Sequence, residues 1–90
     1  MVAAHVRHVA NNRDVALMLP GEIEITCRIQ NFSLSGAGIF TNARPPLGAQ
    51  VTVGSLAGTV VRYHDEGIGV EFNETPSAAR LLAEFGILSE

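Results

Sequence analysis

Ninety residues with six Lys+Arg, nine Asp+Glu and a net charge of −3 make one small acidic domain and argue against a second. All six basic residues are arginine, so every fixed positive charge is a guanidinium, and the acidic balance speaks against a binder of long nucleic acids, which needs a dense basic surface. The 47% hydrophobic content suits a folded chain with an aliphatic core, yet a chain this short buries only about 60–65% of its unfolded surface, a thin margin that a partner domain or a homodimer would widen.

Cys27 is the only cysteine and has no disulfide partner within the chain, which points to a reducing compartment. No apolar run approaches the roughly 20 residues of a spanning helix, and no apolar stretch follows a basic N-terminus. A cytoplasmic protein without membrane insertion is the expectation.

In chain order, residues 1–12 show no period and read as a flexible N-terminal arm; the domain proper is expected over 13–86, with a tail at 87–90. Arg13 to Leu19 reads as a strand with Val15, Leu17 and Leu19 on one side, ended by a Pro20-Gly21 turn. The clearest alternation follows, with Ile23, Ile25, Cys27 and Ile29 on one face and Glu22, Glu24, Thr26, Arg28 and Gln30 on the other. Asn31 to Gly36 interrupts it with small polar residues, and Ala37 to Thr41 resumes it. Pro45-Pro46 mark a connection, because proline donates no ladder hydrogen bond. Gln50 to Val53, Leu56 to Tyr63 and Ile68 to Phe72 are three further strands, separated by turns at Gly54 and at His64 to Gly67. The period then changes: Ala78, Leu81, Leu82 and Phe85 share one helical face, with Thr75 as the expected cap and Pro76 as the first helical position. Six short strands in 90 residues predict an all-β fold, a small six-stranded antiparallel β-barrel with a short C-terminal α-helix, since closure removes exposed edges.

The chemistry concentrates in Asn31-Phe32-Ser33-Leu34-Ser35-Gly36. Its carboxamide and hydroxyl groups can bond neighbouring backbone and build a hairpin connection, with Gly36 free to take a positive φ. Held at a barrel rim, the same groups can also bond a ligand.

Asn31-x-Ser33-x-x-Gly36 resembles the (Asp/Asn)-x-Ser-x-x-Gly signature of the PilZ domain family, and other stations follow in the family's order. They are the arginine-led strand from Arg13, Pro46-Leu47-Gly48, Gly58-Thr59-Val60-Val61-Arg62, and Gly67-Ile68-Gly69-Val70-Glu71-Phe72; together the resemblance covers roughly residues 7–85. It implies a six-stranded barrel and a bacterial receptor for the second messenger cyclic di-GMP that passes its signal to a protein partner. It further implies an Arg-x-x-x-Arg motif on the N-terminal arm. Arg13 matches the second arginine, but Val9 stands at the first, with Arg7 and His8 the nearest upstream candidates. The implied ligand residues are therefore Arg7, Arg13, Asn31, Ser33 and Gly36, with His8, Arg28 and Ser35 as further candidates. Guanidinium forks suit phosphate oxygens and the guanine edge, each bidentate contact contributing about 1–3 kcal/mol against the roughly 8 of micromolar binding. The alternative implied by Val9 is a degenerate PilZ-like protein–protein interaction module that does not bind the nucleotide.

Other readings have less behind them. Arg28 reads first as a solvated residue paired with Glu22, Glu24 or Glu71, while Arg44 and Arg62 line the barrel exterior and Arg80 the exposed helix face. His5 and His8 lack a third metal ligand, so neither a metal nor a cofactor is expected. Ser33 and Ser35 lack a nucleophile elbow, and Asp65-Glu66 is a turn, which leaves no enzyme chemistry. Phe32, Phe40, Tyr63, Phe72 and Phe85 form no basic-aromatic platform for single-stranded nucleic acid.

Overall fold

Period-2 segments need partners on both sides, and here they find them by closing on themselves. The computed structural model describes residues 8–9 and 14–85. Its strands are β1 (His8–Val9), β2 (Asp14–Leu19), β3 (Ile23–Phe32), β4 (Gly36–Phe40), β5 (Gln50–Val53), β6 (Leu56–His64) and β7 (Gly67–Phe72), followed by helix α1 (Ala78–Phe85). All pairings are antiparallel and run β3-β2-β5-β6-β7-β4, with β4 returning to β3. This is the expected closed six-stranded barrel. The two-residue β1 is an addition: within the segment read as a period-free arm, His8 pairs with Phe32 and Val9 with Asn31.

The core follows the alternation. Leu17, Ile29, Ile39, Val53, Val60 and Ile68 are essentially inaccessible to solvent, and Leu81 of α1 joins the same cluster. The row expected on β3 is only partly realised: Cys27 and Ile29 are buried, Ile25 is half-buried and Ile23 is 57% exposed. The reason lies in the register, because β4 pairs with β3 from Arg28 onward and leaves the earlier residues with β2 alone.

Two bulges bend the sheet into a barrel. One lies between Ile29 and Asn31 on β3, the other between Val60 and Arg62 on β6. Each inserts a residue, Gln30 or Val61, and shifts the inward face onward. Thus β3 continues past its expected end to Phe32, which is fully buried, while Val61 is 42% exposed despite being apolar.

The helix starts later than predicted. Ser77, not Thr75, is the cap: its Oγ accepts from Arg80 N at 3.0 Å, which satisfies a first-turn N–H. Pro76 accordingly precedes the helix. Arg80 Nη2 donates to Ser55 O (3.1 Å) and Ser55 Oγ (2.9 Å), tying α1 to the β5–β6 turn.

Candidate functional site

The turn between β3 and β4 is built by the motif residues themselves. Ser33 N donates to Gly36 O at 2.8 Å, Ser35 N donates to Ser33 Oγ at 3.2 Å, and the two serine hydroxyls lie 3.0 Å apart. Phe72 N donates to Ser35 O at 2.8 Å, which fastens the turn to the end of β7. Ser33 is buried, with a hydroxyl engaged inside the turn, whereas Ser35 and Asn31 are half-buried.

Gly36 is required for a reason the sequence did not announce. Its φ is not positive; among the described residues the positive-φ glycines are Gly21, Gly48 and Gly54. A Cβ on Gly36 would instead sit 2.2 Å from Val70 O, so the missing side chain lets β7 approach β4.

Beyond the turn, the outer face of the barrel opens beside Asn31. Asn31 pairs with Gly38, Gly38 with Gly69, and Gly69 with Arg62, giving one cross-strand row over β3, β4, β7 and β6. The Asn31 and Gln30 carboxamides lie over Gly38, where a Cβ would be 3.1 Å from each side-chain oxygen. On the opposite strand of β3, the same row ends at Val9.

The expected cations separate. Arg7 and Arg13 lie outside the described residues, and of His8 only its place in β1 is defined. Arg28 is exposed and stands opposite Asp14 and Phe40, not Glu22, Glu24 or Glu71. It borders a recess of about 280 Å³ with Asp14, Thr26, Cys27 and Phe40, three residues along β3 from Asn31. Arg44 serves the β4–β5 connection: it donates to Thr41 O and Ala43 O (3.1 Å each) and to His64 O (3.2 Å), and lies 5.8 Å from the Tyr63 ring centroid. Arg62, read only as an exterior residue, is the guanidinium that joins the row of Asn31.

Cys27 is buried, and burial pushes its thiol up from the ordinary value of 9.0, with a hydrogen bond to Thr41 opposing. It is an uncharged core residue at neutral pH. Among the described residues no three His, Cys, Asp or Glu side chains cluster, and no helix is long and apolar enough to cross a membrane. A cleft of about 540 Å³ lies away from the motif, between the β5–β6 turn and the start of α1. Its guanidinium, Arg80, is already bonded to Ser55.

The family model of the PilZ domain matches residues 2–85. The chain belongs to the PilZ domain family. No curated protein matches it. PilZ domains are known as receptor domains for cyclic di-GMP, binding modules and not catalysts. In this PilZ domain the signature residues divide by role: Ser33 and Gly36 shape the turn, and Asn31 stands on the outer face.

Proposed function

We propose that this PilZ domain is a cytoplasmic, non-catalytic receptor for cyclic di-GMP that binds the nucleotide on the outer barrel face and relays the signal to a protein partner. In this reading the Asn31 carboxamide bonds a guanine or phosphate, Ser35 offers a second polar group, and Ser33 and Gly36 hold the turn that positions both. Arg13 and Arg7 clamp from the arm, with His8 beside them, and ligand binding changes the surface that the arm offers to the partner.

The single observation that supports this best is the pairing of Val9 with Asn31. The position where the family carries its first arginine lies directly across the ladder from the motif, so arm and turn belong to one site. The test is an NMR titration of the labelled chain with cyclic di-GMP. Amide shifts should cluster at Asn31, Ser35, Gly36 and Gly38; shifts confined to the α1 end, or none at high-micromolar ligand, would sink the reading.

A second reading, the degenerate interaction module, draws on Val9 itself and on exposed Leu47 (58%), Tyr63 (43%) and Val61. Leu81 argues against its helix-docking version, because that side chain is only 3% exposed and is taken up by the barrel's own core.

A further inference from the structure

We propose that two copies of this chain pair edge to edge through the first half of β3, antiparallel about a twofold axis at Ile25, so that their sheets run on into one another. The surface lies at the end of β3 away from the motif turn, and the inference does not rest on the receptor reading.

The ladder that closes the barrel covers only the second half of β3. β4 pairs with it from Arg28 to Phe32, and beyond Phe40 the chain follows the β6–β7 turn instead: Thr41 N donates to Glu66 O at 3.0 Å, and Arg44 Nη2 to His64 O at 3.2 Å. A recess of about 280 Å³ opens at the fork, lined by Thr26, Cys27 and Arg28 with Phe40. Ile23 to Cys27 thus have β2 on one side and, among the described residues, no strand on the other. In an antiparallel pair alternate residues turn their N–H and C=O away from the partner, so this stretch presents a row of such groups to the open side. A free edge of that kind is a template for another strand. Nothing blunts it: Ile23 to Cys27 contain no proline and no lysine, the β3 bulge lies further on, and Ile23 is 57% exposed.

A second copy is the occupant because the edge is complementary to itself. Opposed residues of an antiparallel pair point to the same face, so a twofold axis that keeps the outer faces together passes through a residue and not between two. An axis at Thr26 would need the place beside Arg28, which Phe40 already holds. An axis at Glu24 would set two glutamates face to face. The axis at Ile25 avoids both. Glu24 then faces Thr26 of the second copy, at two symmetric places, and Ile23 is covered by the strand that faces it. Pairing ends at Glu22, whose left-handed backbone (φ 63°) turns the chain away where Phe40 closes the edge. Just past each end the exposed Glu22 of one copy comes beside the exposed Arg28 of the other, a charge-complementary pair. Either hydrogen-bond phase supplies roughly four to six bonds between the copies.

The test is sedimentation equilibrium of the full chain from low- to high-micromolar concentration. It compares the wild type, Thr26→Glu and the double variant Glu24→Lys with Thr26→Glu, each checked for folding by a thermal melt. Both positions are exposed on the outer face, so the barrel tolerates the changes. The wild type should dimerise. Thr26→Glu, which opposes glutamates at two places, should weaken the dimer about 3- to 30-fold, and adding Glu24→Lys should restore it, because each like pair becomes an opposite one. In a wild-type sample mixing labelled and unlabelled copies, intermolecular NOEs should join Glu24 to Thr26. A monomer throughout, a Thr26→Glu dimer as tight as wild type, a double variant no tighter than Thr26→Glu, or a dimer without the Glu24–Thr26 contact overturns the inference. The receptor reading stands or falls separately, on the nucleotide titration.

Discussion

Gly36 is glycine because β7 runs against it. An added methyl would lie 2.2 Å from Val70 O, and that atom belongs to backbone, so no side-chain rotation relieves the clash. Gly36→Ala should therefore cost about 1–3 kcal/mol of stability, read as a lower denaturation midpoint with or without ligand. A drop confined to ligand affinity would contradict this. Loss of binding in that variant would accordingly report on the fold before it reported on a contact. Cys27 gives a second prediction at this scale. Its thiol is raised by burial, so the folded state keeps the proton while the unfolded chain loses it above about pH 9. The thiol's contribution is full below that pH and is lost as pH rises from there through the raised folded value. Stability of the wild type should fall faster above pH 9 than that of Cys27→Ala, by urea denaturation across pH 8–10.5; parallel curves would refute the assignment.

Among the elements, the β2–β3 hairpin carries the one described non-glycine residue in the left-handed region. Gly21 and Glu22 have φ of 83° and 63°, and Glu22 N donates back to Leu19 O at 3.2 Å. A glutamate side chain makes that conformation costly, and asparagine tolerates it better. Glu22→Asn should raise stability by about 0.5–1 kcal/mol; a lower melting temperature would show that the glutamate is held by something other than backbone geometry. The strands were legible in the sequence because inward and outward residues alternate, and the structure keeps all six predicted strands. The bulges were not legible. An extra residue such as Gln30 or Val61 looks like an ordinary member of an alternating run until a partner strand fixes the register. The cap was ambiguous for a related reason, since Thr75 and Ser77 both offer a hydroxyl and only the backbone decides which accepts from the first turn. Within the motif, the polar residue types and the break in the alternation were legible; the burial of Ser33 and the close approach of β7 at Gly36 come only with the closed barrel, which brings in residues far away in sequence.

For the molecule as a whole, closure gathers residues that are distant in sequence. Because β4 pairs with both β3 and β7, and β7 with β6, residues from four strands meet in the row from Asn31 to Arg62. The same long-range pairing brings Val9 against Asn31, so one substitution probes arm and barrel together. The most direct measurement is calorimetric titration with cyclic di-GMP of the wild type beside Val9→Arg. The wild type should bind, and Val9→Arg should bind about tenfold or more tightly, since a guanidinium contact across from Asn31 adds about 1–3 kcal/mol. No heat from either protein at high-micromolar concentration, or a Val9→Arg affinity no better than wild type, would contradict it.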